Sequence, residues 1–152
     1  MDSIDVKILE ILQTNARISV SEISSKVSLS LSAVSERLKK LEASKVIKEY
    51  TAILDSELLD KELSVIMNIS LENPQSTNDF MELVRREREI LECHYITGDY
   101  DYALKITTKN TKTLEDMMNR IKSVRGIKKT QTNVILSTIK HLYSISPGEV
   151  KA

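Results

Sequence analysis

The stretch from Ser28 to Ile47, SLSLSAVSERLKKLEASKVI, has small hydroxyl side chains at its start and basic side chains further along. Short side chains let a helix approach another molecule closely, and free N–H groups at a helix N-terminus bind phosphate. Basic side chains one or two turns later reach phosphates or guanine edges. This pattern is typical of a helix that reads the major groove of double-stranded DNA. The residues that we expect to contact DNA are Ser30, Ser32, Ala33, Ser35, Glu36, Arg37 and Lys40.

Two alternatives stay open for this stretch. Glu36 can accept a hydrogen bond from cytosine, or it can pair with Lys40 one helical turn away. The whole stretch can also be an ordinary packing helix of a three-helix bundle, with its charged residues on a solvated face.

The first third of the chain has the spacing of three helices. Asp2 or Ser3 can cap the first helix, Ser19 and Glu22 form a capping box for the second, and Ser30 is the N-cap of the third. The apolar side chains that fall on buried faces are Ile4, Ile8, Ile11, Leu12, Val20, Ile23, Val27, Val34, Leu38 and Leu41. The second and third helices, joined by a tight turn, form a helix-turn-helix. The following residues, VIKEYTAIL, favour a strand.

The rest of the chain alternates between strand and helix patterns. The predicted strands are ELSVIMNISL, LECHYIT, YALKITTK and IKKTQTNVILSTI, and the predicted helices are STNDFMELVRREREI and TKTLEDMMNRIKSV. We expect Ile90 on the inner face of the first helix, Thr111 or Thr113 as the cap of the second, and Gly126 as its stop. The order βαββαβ is that of a ferredoxin-like domain.

The predicted class is therefore α+β, with a winged-helix-like helix-turn-helix domain before a ferredoxin-like domain. The boundaries that we predict are 1–54 for the first domain, 55–61 for a linker, and 62–152 for the second domain. A short helix is expected in the linker.

A glycine-containing turn, GDYD, joins two of the predicted strands and could bind a small zwitterion. Backbone N–H groups at Gly98 suit a carboxylate, and Asp99 and Asp101 on either side of Tyr100 suit an ammonium group. Thr130 and Thr132 share one face of the last strand and could contact a polar side chain. The alternative is a hairpin turn in which Asp and Gly satisfy only the backbone geometry.

Composition argues against an enzyme and against a membrane protein. The net charge is 0, so any nucleic-acid site must be local. Cys93 and His94 are adjacent on a strand and point to opposite faces, and no catalytic motif or phosphate loop is present. We therefore expect no catalytic activity, no cofactor and no metal. There is no apolar run of roughly 20 residues and no signal-peptide pattern, and the single Cys93 fits a reducing compartment.

Nearly the whole chain resembles the Lrp/AsnC, or feast/famine, family of transcription regulators. The resemblance is carried by DSIDVKILEILQTNARIS, by SEISSKVSLSLSAVSERLKKLEASKVIKEYTAILD and by CHYITGDYDYALKI. Three positions differ from the family pattern: Ser28 and Lys45 stand where glycine is usual or frequent, and Leu31 stands where proline is frequent.

The resemblance implies a cytoplasmic DNA-binding regulator whose second domain forms homodimers, often assembled into tetramers or octamers. It also implies a small amino acid bound between subunits, close to the GDYD loop and the last strand. An architectural DNA-packaging protein with no effector is the alternative function.

Overall fold

The computed structural model describes residues 1–73 and 77–147, and it divides into two compact units. The first comprises Met1–Ile53 together with the C-terminal residues from Lys140 onward, and the second comprises Leu54–Ile139. Residues 140–147 therefore group with the N-terminal unit, although the sequence suggested a second domain that continues to residue 152; residues 148–152 lie outside the described part of the chain. The exact domain limits stay a prediction.

Three helices build the first unit: α1 (Ser3–Thr14), α2 (Val20–Val27) and α3 (Leu31–Ala43). The capping predictions are confirmed for all three. Asp2 caps α1 with Asp5 as its reciprocal partner, Ser19 and Glu22 form the capping box of α2, and Ser30 caps α3. The buried side chains that hold the helices together are Ile8, Leu9, Ile23, Val27, Val34 and Leu41.

The turn between α2 and α3 places Ser28 in the left-handed conformation, with φ 55° and ψ 43°. The side chain of Ser24 donates a hydrogen bond to the carbonyl of Leu29, and the Leu29 N–H returns one to the Ser24 carbonyl. Lys45, just after α3, also has a positive φ of 61°. Two of the three positions at which this chain departs from the family pattern are therefore positions where the backbone favours glycine.

The strand predicted over residues 46–54 is wrong. These residues have no regular secondary structure, because a strand exists only where a neighbouring strand completes its hydrogen bonds. Among the described residues no strand pairs with this segment. A single 3₁₀ turn follows at Glu57–Leu59, which agrees with the short helix expected there.

The second unit follows the predicted βαββαβ order. Its elements are β1 (Leu63–Leu71), α4 (Thr77–Arg86), β2 (Ile90–Tyr95), β3 (Tyr102–Thr108), α5 (Thr111–Lys122) and β4 (Ile127–Val134). The antiparallel sheet has the order β2-β3-β1-β4, with β1 between β3 and β4. The predicted ferredoxin-like fold is confirmed.

One face of this sheet is covered by the two helices. Val65, Met67 and Ile69 alternate along β1 and are fully buried, as the period of a strand requires. They pack with Leu104 and Ile106 of β3. The helix residues that complete this core are Phe80, Leu83, Leu114, Met117 and Ile121.

Four local predictions in this unit need correction. Helix α4 ends at Arg86, so Ile90 lies in β2 and not on the helix. The N-cap of α5 is Asn110, because its side-chain amide oxygen accepts from the Thr113 N–H while Thr113 completes the capping box. Helix α5 ends at Lys122, so Gly126 (φ 88°) lies in the turn before β4 and does not stop the helix. The last strand is also shorter than predicted and ends at Val134.

Within residues 1–73 and 77–147, no helix has both the length and the apolar composition needed to span a membrane.

The left-handed turn yields a test of local strain. We predict that Ser28→Gly stabilises the first unit by about 0.5 to 1 kcal/mol, because the roughly 1 to 2 kcal/mol cost of a left-handed L-residue exceeds the extra entropy of glycine in the unfolded chain. Urea denaturation of the full chain measures the change. Ser25→Gly, in the interior of α2, is the control and should destabilise the unit by about 0.5 kcal/mol. A loss of stability in Ser28→Gly would contradict this account.

Candidate functional site

The first turn of α3 is built around Ser30. Its hydroxyl oxygen accepts from the Ala33 N–H at 3.2 Å and lies 3.1 Å from the hydroxyl of Ser32. Ser30 therefore serves the helix end itself, while Ser32 is exposed beside it. The short side chains leave the start of the helix open to an approaching molecule, as the sequence suggested.

The face of α3 opposite its buried residues carries Ser32, Glu36 and Lys39, spaced i, i+4 and i+7. All three are exposed, whereas Val34 and Leu41 on the other side are buried. Lys39 was not among the predicted contact residues, although its spacing from Ser32 and Glu36 placed it on their face. Lys39 has no ion-pair partner in the part of the chain that the structure describes.

Arg37 is held by the start of α1. Its guanidinium donates to the carboxylates of Asp2 and Asp5, both at 2.7 Å, and its side chain is 27% exposed. The Asp5 backbone N–H lowers the pKa of Asp2 most, and the Arg37 guanidinium lowers it further. Arg37 therefore links α1 to α3, and any contact with phosphate has to compete with two carboxylates.

Lys40 and Glu36 form the i, i+4 ion pair that the sequence left as one alternative. Their charged atoms are 2.8 Å apart, and the side chains are 74% and 68% exposed. Lys40 lowers the pKa of Glu36. So exposed a pair contributes little to stability, and a phosphate can replace Glu36 as the partner of Lys40.

Of the remaining predicted contact residues, Ala33 and Ser35 are half-buried on the flanks of the helix. Ala33 lines an open groove of about 690 Å³ together with Asp2, Asp5 and Arg37. The structure thus places the seven predicted residues on one helix, but their side chains differ in how far they are exposed to solvent.

The loop between β2 and β3 is closed by Asp101. The Ile96 N–H donates to the Asp101 carbonyl and the Asp101 N–H to the Ile69 carbonyl, both at 2.9 Å. One carboxylate oxygen of Asp101 accepts from the Leu71 N–H at 2.8 Å, where the pairing of β1 with β4 shifts register. Asp101 therefore satisfies a backbone amide at an irregular point of β1, and its second carboxylate oxygen makes no hydrogen bond within the described chain.

The other loop residues are more open. Gly98 has a φ of +114°, and a side chain there would meet no neighbour within 4 Å. Asp99 is exposed, and its carbonyl accepts from the Ser70 hydroxyl at 3.2 Å. The ammonium group of Lys129 lies 4.7 Å from the centre of the Tyr100 ring, which brings the loop beside the start of β4.

Thr130 and Thr132 share one face of β4, as predicted. They pair with Ile69 and Met67, so they lie on the helix-covered side of the sheet. The hydroxyl of Thr132 is buried and has no hydrogen-bond partner among the described residues. A buried hydroxyl without a partner is costly, and it is a natural contact for a bound polar group.

The described residues contain no group of three or more His, Cys, Asp or Glu side chains that could hold a metal ion. Cys93 pairs with Leu104 and is half-buried, and burial raises the pKa of its thiol. His94 lies on the opposite face and pairs with Glu92 at 3.0 Å. The two residues diverge, as expected from their adjacency.

Comparison with protein families identifies both units. Residues 1–42 match the profile of the AsnC-type helix-turn-helix domain, and residues 64–145 match that of the Lrp/AsnC ligand binding domain. The chain belongs to the Lrp/AsnC family. It is a helix-turn-helix transcription regulator with a ligand-binding domain, and members of this family are regulators and not enzymes, as predicted.

Individual relatives of this Lrp/AsnC chain cover most of its length. It is 35% identical over 140 residues to the HTH-type transcriptional regulator FL11 of Pyrococcus furiosus, covering 92% of each chain. It is 37% identical over 143 residues to the leucine-responsive regulatory protein of Haemophilus influenzae, covering 92% of this chain and 86% of the relative. A transcriptional regulator from Neisseria meningitidis, solved in complex with L-methionine, superposes with a TM-score of 0.92 at 31% identity, over 95% and 96% of the two chains.

The exposed face of α3 makes a prediction about DNA binding. Lys39→Ala and Lys40→Ala should each weaken binding and reduce the slope of log affinity against log salt by about 0.9, because each removes one phosphate contact. Lys122→Ala on α5 removes the same charge from another helix and is the control. Gel-shift titrations at several salt concentrations measure the slopes. Equal losses in all three variants would show that only net charge matters.

Proposed function

We propose that this regulator binds DNA sequence-specifically as a homodimer through α3, and that a small amino acid bound between its subunits changes its activity or assembly. The observation that carries the proposal is the pairing of two features in one chain. An uncovered helix face carries small and basic side chains, and a family-matched ligand-binding domain holds at Thr132 a buried hydroxyl that has no hydrogen-bond partner among the described residues.

Ser32, Lys39 and Lys40 are the DNA contacts that the exposure of α3 supports best. Ser30 and Ser35 flank them, and the small side chain of Ala33 lets the helix backbone approach the DNA major groove closely. Glu36 either accepts a hydrogen bond from cytosine or gives up its ion pair with Lys40, which then binds a phosphate. For Arg37 we propose a positioning role, because two carboxylates already occupy its guanidinium.

The uncovered face of the sheet supports the homodimer. Ile66 and Asn68 of β1, with Ala103 and Lys105 of β3, lie on the side opposite the helices and are half-buried. A second copy of this face would cover its apolar part, and the ion pair between Lys105 and Glu92, at 3.4 Å within the chain, already balances the charge of Lys105. Assembly of dimers into tetramers or octamers follows from the family and is part of the proposal, as is a cytoplasmic location.

The proposed effector is a free amino acid. The solved regulators from Neisseria meningitidis and Mycobacterium tuberculosis that resemble this chain are each in complex with L-methionine. Here the open backbone at Gly98 suits the carboxylate, and Asp99 suits the ammonium group together with the oxygen of Asp101 that bonds to no described residue. Tyr100 borders this site, and Thr130 and Thr132, on the helix-covered side of the sheet, contact the ligand side chain. The subunit that closes the site therefore belongs to a neighbouring dimer, and not to the partner across the uncovered sheet face.

An architectural DNA-packaging protein without an effector is the second candidate. It would use the same helix face, but it would bind DNA with low sequence selectivity and would not respond to amino acids.

The dimer can be tested by mass. The chain has a mass of 17.3 kDa, and analytical ultracentrifugation at micromolar concentration should give at least twice that value. Ala103→Asp should shift the population toward monomer, because it places an unpaired charge on the sheet face that the dimer would bury. A wild-type monomer, or an unchanged dimer in Ala103→Asp, would remove this sheet face as the interface.

Replacing Thr132 should change protein stability and ligand affinity in opposite directions. Thr132→Val keeps the shape and removes the unpartnered hydroxyl, so the ligand-free protein should become more stable by about 1 kcal/mol. The same change should weaken binding of an amino acid about tenfold, because one hydrogen bond to the ligand is lost. A thermal-shift screen of all twenty amino acids, starting with L-methionine, followed by calorimetry, measures both effects.

Asp101→Asn tests the charge separately. The amide oxygen can still accept from the Leu71 N–H, so the loop should keep its structure while ligand affinity falls roughly ten- to a hundredfold. Asp79→Asn on α4 is the control. Unchanged ligand affinity in Asp99→Asn, Asp101→Asn and Thr132→Val together would remove the loop and β4 as the ligand site, whereas a thermal-shift screen in which no amino acid stabilises the protein would favour the architectural function.

A further inference from the structure

The C-terminal residues Tyr143–Pro147, here named the C-terminal strap, lie against α1 of the first unit. The side-chain amide nitrogen of Gln13 donates to the Ile145 carbonyl at 2.8 Å, and the Ile145 N–H donates to the Gln13 side-chain oxygen at 2.6 Å. One glutamine thus satisfies both backbone groups of one residue, as a neighbouring β-strand would.

An apolar groove surrounds this contact. It has a volume of about 550 Å³ and lies entirely within the first unit. The strap residues Tyr143, Ile145 and Pro147 line it together with Leu9, Leu12, Ala16, Ile47 and Tyr50. The strap therefore has a specific backbone anchor and an apolar surface beside it.

Residues 143–145 of the strap belong to the ligand-binding domain by sequence and to the DNA-binding unit by contact. The ligand-binding domain profile extends through residue 145, the residue that Gln13 holds, whereas the second compact unit ends at Ile139. The chain leaves the first unit after Ile53 and returns to it at Lys140. The first unit is therefore joined to the second by two stretches of chain.

We propose that the C-terminal strap is a second tether that restricts how the DNA-binding unit is presented, and that Gln13 is its positioning residue. The inference rests on the proposed homodimer, in which two copies of α3 bind two half-sites together. When the strap is released, each DNA-binding unit is connected to the rest of its chain by one linker only. After one DNA-binding unit of the dimer has bound, the effective concentration of the other at its own half-site is then lower. The intrinsic contact of one unit with one half-site is unchanged.

The experiment compares Gln13→Ala with wild type on duplexes selected in vitro with the wild-type protein, carrying either two half-sites or one. Thr14→Ala is the matched control, since Thr14 is the neighbouring exposed residue of α1, bonds only within the helix, and does not line the groove. Gln13→Ala should weaken binding to the two-site duplex about tenfold and change single-site binding less than about twofold. Equal losses on both duplexes, or no loss on either, would overturn the tether.

A second readout tests docking without DNA. Exchange of the Ile145 amide hydrogen in the full chain should be about tenfold faster in Gln13→Ala than in wild type or Thr14→Ala. An equal exchange rate in all three proteins overturns the docking itself. If the wild-type protein shows no preference for two-site DNA while Ile145 remains protected, the homodimer proposal fails and the tether fails with it, but the docked strap survives.

A crosslink establishes which chain supplies the strap. Ala16→Cys with Ser144→Cys, in a Cys93→Ser background, is treated with a short bis-maleimide and separated on a denaturing gel; both residues line the groove, and Gln13 stays in place. A crosslink within one chain supports the proposal. A covalent dimer shows that the strap of one copy docks on another, and a chain that does not crosslink shows no docking; either result overturns it.

Discussion

The contact among Ile8, Ile23 and Val34 is the constraint on which DNA recognition depends. Each side chain is at most 1% exposed, and each comes from a different helix of the first unit. Because Val34 must face this contact, the opposite side of α3, with Ser32, Glu36 and Lys39, must face solvent. The left-handed turn at Ser28 sets the direction of α3, and the bonds from Arg37 to Asp2 and Asp5 fasten it to α1. The outward face is thus a consequence of the core.

Much of this arrangement could be predicted because its causes are local. The capping boxes at Ser19 and the N-cap at Ser30 involve residues within one turn, so the sequence shows both partners. The alternation of buried and less buried side chains along β1 is likewise visible in the sequence, as apolar residues at every second position. The order of elements then leaves few topologies, and the ferredoxin-like sheet follows.

Some errors were local, such as the cap of α5 at Asn110 and the end of α4 at Arg86, but the errors at the site arose where the partner is distant in sequence. Nothing near Arg37 shows that Asp2 and Asp5 will bind it, and nothing near Asp101 shows that Leu71 needs its carboxylate. Residues 46–54 have strand propensity, but no strand lies beside them among the described residues, so the strand predicted from propensity is not formed. The docking of Ile145 on Gln13 joins positions 132 residues apart, beyond any local pattern. Lys39 is different, because its spacing from Ser32 was visible and was overlooked.

The most direct test of the central claim, that the outward face of α3 reads DNA, is a nuclear magnetic resonance titration. The isotopically labelled full chain is titrated with a duplex selected for binding, and the backbone amide signals are followed residue by residue. If α3 reads DNA, small changes are expected across α4 and α5, and the largest changes are expected at Ser30, Ser32, Ala33, Ser35, Glu36, Lys39 and Lys40. Large changes confined to the sheet or to α5, with α3 unaffected, would contradict it.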